Sequence, residues 1–241
     1  QLHQASGALE MVGMAPAALV LRSMEAAVQR FVQRPEHCGD DAVSVLERAS
    51  FALIEYLDNV LAGKKTSPVA LFPQYREVQA LTGAERVHPA DLWPTERRLR
   101  EPELAVEAAP LPYGPQARAR LDQAVLRIVK LGDQAAAGQL RDACLGFVAA
   151  QADPQARSFW KIAAGFFDAF AHGLLTPDVY VKRVASRVLM QYATLAKGNP
   201  AIADRLLQDL LFFCAQAREA ASPEGAAPAA PALQAVRPTF D

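Results

Sequence analysis

Cysteine is scarce in this sequence. Cys38, Cys144 and Cys214 are the three in 241 residues, far apart and without a Cys-x-x-Cys pair. Neither a disulfide framework nor a thiolate metal site is indicated, and a reducing, cytoplasmic setting is expected. An excess of one charge is also missing. With 25 basic and 26 acidic side chains the formal net charge is −1, so the chain has no general attraction for phosphate backbones or anionic lipid, and nucleic acid is not an expected partner. No charge-free run exceeds about a dozen residues, whereas a membrane-spanning helix needs roughly 20; no membrane insertion is expected. The N-terminus has neither the basic nor the apolar region of a signal peptide. Alternation of the strand type is nearly absent, as are a Gly-rich phosphate loop, HExxH, GxSxG and a calcium loop, so most enzyme classes lose support and no cofactor or metal is expected.

What is abundant is Ala and Leu, with apolar residues recurring at spacings of three and four, so the chain reads as all-α. Helices are expected over 2–12 and 16–33, hinged at Gly13 with Pro16 in a tolerated first-turn position. A third is expected from 40 or 41 to 61, with Val43, Leu46, Phe51, Ile54, Leu57 and Leu61 close to one face and Gly63 as its stop. Its start at Asp40 and Asp41 suits the helix dipole. A shorter helix covers 73–81, and His88-Pro89 and Trp93-Pro94 then break regularity. Over 95–114 charge and proline replace periodicity, marking a linker. Beyond it, helices are expected over 115–131, 133–151, 154–174, 177–196 and 200–220. Asp153-Pro154, Thr176-Pro177 and Asn199-Pro200 have the cap-then-proline form of helix starts. Short loops predict antiparallel packing of consecutive helices. The aromatic set Phe159, Trp160, Phe166, Phe167 and Phe170 covers more than one face, as a central buried helix would. Residues 221–241 have an Ala/Pro-rich composition and are expected to form a linker or disordered tail.

The residues that invite chemistry lie in LHQASGALEMVGM. His3 is followed at the fourth position by Gly7, one turn along the same face, so no side chain crowds the imidazole and another protein's active site can approach it. A neutral imidazole near pH 7 is nucleophilic and forms a phosphoramidate. Two readings stand: His3 as a phosphoacceptor, or His3 as a polar residue near the start of an amphipathic helix. Lys182, Arg183 and Arg187 fall within two turns of one helix, where they either dock an acidic partner or form a solvated face. His37 beside Cys38 reads as a solvated loop pair, and His88 and His172 as structural.

The segment around His3 resembles the histidine phosphotransfer (Hpt) motif, with Gly7 and Ala8 in its small-residue positions and Ser6, a neutral hydroxyl, where the motif has lysine. A longer resemblance covers roughly residues 1–220, carried most specifically by LFPQYRE, HPADLWP and FWKIAAGFFDAF with the following PDVYVKR. It is to the N-terminal region of the CheA-like hybrid histidine kinases of type IV pilus chemosensory systems, the ChpA/PilL group. The same stretch is similar to scaffold proteins of the FimL type. The resemblance implies an Hpt-like helical lobe over 1–94 that lacks an upstream helix, a linker over 95–114 and a second bundle over 115–220. It implies a signalling module of a chemotaxis-type two-component system controlling twitching motility. Such a module acts through protein contacts with receiver domains, the kinase domain or other pilus-signalling scaffolds, and relays phosphoryl groups through His3 supported by Ser6 and Gly7. The alternative is a scaffold in which His3 is silent. No kinase core lies in these residues; the chain would at most accept a phosphoryl group.

Overall fold

The computed structural model describes residues 2–84, 86–93, 101–217 and 230–239. Among them every regular element is a helix or a 3-10 turn, as the periodicity requires. The chain divides into two compact units, Gln1–Pro94 and Thr95–Asp241.

In the first unit α1 (Leu2–Met11) and α2 (Ala15–Gln33) form a hairpin. Its turn is permitted by Gly13, whose φ of +78° would strain a residue with a side chain. The pair is tied by an ion pair between Glu10 and Arg22. After α3 (Asp40–Leu61) and α4 (Phe72–Thr82), the core is built from Val20, Leu21, Met24 and Phe31 of α2, Ala42, Ala49 and Leu53 of α3, and Tyr75 and Val78 of α4. The LFPQYRE stretch is the entry to α4. Tyr75 is buried and its hydroxyl accepts from Gln79 Nε2 at 2.8 Å, while the same amide reaches Ser23 of α2 at 3.2 Å. Of HPADLWP, residues 88–93 fold as a capped 3-10 turn: the Ala90 N–H donates to His88 Nδ1 at 3.1 Å and the His88 N–H to the Asp91 carboxylate at 3.0 Å. This reciprocal cap swings Leu92 into the core with no exposed surface.

On the third helix the apolar face drawn from sequence lies mostly outward. Leu46 and Leu57 are partly buried, but Val43, Phe51, Ile54 and Leu61 are exposed, and the core side is drawn by Ala42, Ala49 and Leu53. Two apolar ridges run along this helix. The alanine side approaches α2 and α4 closely because it carries so little bulk, and it therefore wins the interior.

The second unit centres on α7 (Pro154–Ala171), in which 13 of 18 residues are buried. Around it stand α5 (Pro115–Leu131), α6 (Gln134–Ala150), α8 (Val179–Ala196) and α9 (Asp204–Gln216). Asp133 and Asp153 cap α6 and α7, each accepting the N–H three residues on. The expected aromatic centre is present: Phe159, Trp160, Phe166, Phe167 and Phe170 are each at most 1% exposed. Phe147 of α6 packs on Trp160 in a tilted pair with ring centroids 4.7 Å apart, and Tyr192 of α8 closes the cluster. Packing of consecutive helices holds for α5 with α6 and α6 with α7, but α8 leaves α7 to pack on α5 and α9.

Two helix starts differ from expectation. Asp178, not Thr176, caps α8, its carboxylate accepting the N–H of Tyr180 and Val181 at 2.8 Å. The ninth helix begins at Asp204 rather than near Pro200, because the Gln191 side chain bonds the Ala201 carbonyl and the Ala203 N–H and holds that stretch out of helical geometry. Residues 101–114 contain no helix and pack on the helices of unit 2, to which they belong. The Leu111 N–H donates to the Gly146 carbonyl at 2.9 Å, and Gly114 exchanges two 3.0 Å bonds with the Tyr192 hydroxyl. Of the expected linker or tail over 221–241, residues 221–229, 240 and 241 lie outside the described residues; Pro231–Val236 forms a short helix, α10, seated on α7.

Candidate functional site

The N-terminal histidine stands where α1 meets solvent. The His3 side chain is 86% exposed, and the Glu25 carboxylate of α2 lies 3.8 Å from its Nδ1. One turn on, nothing lies within 4 Å of the position a Cβ on Gly7 would occupy, so the face beside the imidazole is open as the spacing predicts. Ser6 does not share that face. It is 3% exposed, turned toward the interior, and its hydroxyl donates to the His3 carbonyl at 2.9 Å. Ser6 therefore does not stand beside the imidazole as a supporting donor. The local charge next to His3 is negative, supplied by Glu25, whereas a phosphoryl group is best held by cationic donors.

The basic cluster of α8 separates in the same way. Arg187 is turned inward and pairs with Asp209 of α9, which is 1% exposed. That pairing holds α8 to α9 and removes Arg187 from the docking surface the spacing suggested. Lys182 is half-buried and Arg183 exposed, so the solvent-facing patch shrinks to these two.

A buried polar centre in unit 2 escaped the sequence reading. Asp168 of α7 has no exposed surface. One oxygen accepts from Arg141 of α6 at 3.2 Å and lies 3.3 Å from His172 Nδ1; the other accepts the Ala232 N–H at 2.9 Å and the Leu233 N–H at 3.4 Å. The carboxylate thus fastens the first turn of α10. Burial of the Arg141 guanidinium works against its charge, but hydrogen bonds to Asp142 and Asp168 prevail and its pKa is raised. Beside this clamp, Gly165 leaves room for α10: a Cβ there would lie 2.8 Å from Val236 Cγ2 and 3.2 Å from the Ala232 carbonyl oxygen. The sequence signal was the acid inside FFDAF, since a carboxylate amid phenylalanines is stable only with partners.

A second clamp fixes the segment before α5. Glu101 bonds Arg157 at 3.2 Å and Lys161 at 2.9 Å, and these hydrogen bonds hold its carboxyl below the ordinary range. The Trp160 N–H donates to the Tyr113 hydroxyl at 2.8 Å, and burial raises the pKa of that phenol. Between residues 108–111, α5 and α6 runs a groove of about 590 Å³, with Leu111, Arg120, Gln139, Asp142 and Gly146 among its lining. Asp142 is already paired with Arg141, and no nucleophile and base meet there among the described residues. The described residues also hold no group of three or more His, Cys, Asp or Glu arranged for a metal ion. No described helix is long and apolar enough to cross a membrane.

In unit 2 the ion pairs Arg141–Asp168 and Arg187–Asp209 tie helix to helix, and in unit 1 the His3 imidazole faces outward. Among the described residues the chain is all-helical. The chain belongs to the FimL scaffold protein second-domain family, whose model matches residues 106–241, more than half of the sequence. No curated protein and no solved structure matches the chain. The matched stretch takes in the Asp168 clamp and α10.

Proposed function

We propose that the chain is a scaffold module of a pilus-linked chemosensory system, working by holding protein partners rather than by turning over a substrate. The match of residues 106–241 to a scaffold domain carries this reading. The geometry is compatible with it: Asp168 and Asp209, buried carboxylates of this stretch, are spent on pairing with Arg141 and Arg187 and hold its helices together. Receiver domains, the kinase domain of the same system and other pilus-signalling scaffolds are the partners this role implies.

A second reading, phosphoryl relay through His3 in the manner of the ChpA/PilL kinases, is favoured by one observation: the imidazole is open to solvent beside an uncrowded Gly7. Ser6 facing inward and Glu25 beside the ring count against it. Complementation separates the two. In a strain lacking the protein, the scaffold reading expects the His3→Gln chain to restore twitching motility as fully as the unaltered chain does. A Trp160→Asp chain, its core broken, should not restore it. His3→Gln as defective as the deletion would establish relay instead.

A further inference from the structure

The outward face of α3 is built as a docking surface. At 100° per residue, Val43, Ile54, Leu61, Glu47, Asp58, Asp40 and Phe51 fall within about 80° of arc on the side away from the core. The four apolar members are 42%, 56%, 85% and 72% exposed for Val43, Ile54, Leu61 and Phe51 respectively. Single exposed apolar residues are ordinary, but four aligned over five turns, about 27 Å, form a continuous ridge. Asp40, Glu47 and Asp58 are exposed along the same ridge, with Glu55 at its border. The arc holds no basic residue; Arg48, nearest to it, is drawn aside to Glu77 of α4 at 2.9 Å.

This pattern of charge selects the occupant. A second copy is disfavoured, because an antiparallel pair of α3 helices centred between Phe51 and Ile54 sets Glu47 against Asp58 of the other copy. A parallel pair sets each acid against itself. A helix carrying apolar residues at spacings of three and four, flanked by Lys or Arg, meets the apolar ridge and neutralises the acids together. We propose that the Val43–Phe51–Ile54–Leu61 face of α3 binds a basic amphipathic helix of another protein. The inference stands apart from His3 and from residues 106–241.

The test uses the full chain and a labelled synthetic helix of about 18 residues made of Leu and Lys with one apolar face, followed by fluorescence anisotropy. A peptide of the same composition, scrambled to destroy that face, is the comparison. The expected result is saturable binding of the amphipathic peptide at least ~10-fold tighter than the scrambled one, weakened ~10-fold or more by Phe51→Asp and clearly by Phe51→Ala. The double change Glu47→Gln with Asp58→Gln should weaken binding and flatten its salt dependence. All three positions face solvent, and a thermal melt matching the unaltered chain verifies the fold of each variant. Equal binding of the two peptides, or indifference to both Phe51 variants, would overturn the proposal. A concentration-dependent dimer abolished by Phe51→Asp would also overturn it, assigning the face to a second copy.

Discussion

At Asp168 a carboxylate lies without exposed surface in a helix whose other buried residues are almost all apolar. Isolated, such a group would cost several kcal/mol of desolvation. Arg141 and two amide N–H groups of α10 make it tolerable, so its removal leaves two buried donors unpaired and the Arg141 guanidinium with Asp142 alone. Asp168→Ala should lower the unfolding free energy by about 3 kcal/mol, read from urea denaturation. Glu101 tests a different balance. Its folded pKa is depressed by Arg157 and Lys161, so its contribution is present above the unfolded value of about 4.3 and lost as pH falls through the folded one. Glu101→Gln should therefore be destabilised relative to the unaltered chain at pH 7, by at most about 1 kcal/mol for so exposed a cluster. The difference should shrink as pH falls below the unfolded value and vanish once the pH is below the lowered folded one. The thiols give a third prediction. Burial raises the pKa of Cys144 and Cys214, while Cys38 is exposed. A chromogenic disulfide reagent should thus label one thiol promptly in the native chain and the other two only on unfolding.

At the scale of elements, α10 tests whether a six-residue helix can be a fixed part of the unit. Its seat depends on the missing side chain at Gly165, where a Cβ would collide with Val236. Gly165→Leu should cost about 1–3 kcal/mol and accelerate amide hydrogen exchange over Ala232–Val236, with the rest of unit 2 unchanged. The helices themselves were largely legible, since the Asp133 and Asp153 caps and the Gly13 turn are local signals acting on local backbone. Less legible was which ridge of α3 faces inward. Larger residues on Val43, Phe51, Ile54 and Leu61 outweigh Ala42, Ala49 and Leu53 in any count of hydrophobicity, yet closeness of approach decides the interior. The start of α9 was obscured by a side chain thirteen residues away, Gln191, whose amide competes with helix formation at Ala201 and Ala203. The seat of α10 was illegible for the same kind of reason: an Ala/Pro-rich stretch has tail composition, and its partner Asp168 lies about sixty residues upstream.

For the molecule as a whole, near-neutral charge and the membership of residues 106–241 in a scaffold domain family set the expectation of function by contact. The candidate site was legible only in part. The spacing of His3 and Gly7 foretold an open face, but the sequence could not show that Ser6 turns inward or that Glu25 of the neighbouring helix approaches the ring. These placements weigh against a working histidine, because a phosphoryl group beside Glu25 meets repulsion where it needs a cation. The most direct measurement treats the full chain with phosphoramidate and looks for acid-labile phosphate by phosphorus NMR, with His3→Gln as control. A scaffold with a silent histidine should show no stoichiometric phosphohistidine while remaining folded. A stoichiometric signal that disappears in His3→Gln would contradict it and make this chain a member of a phosphorelay.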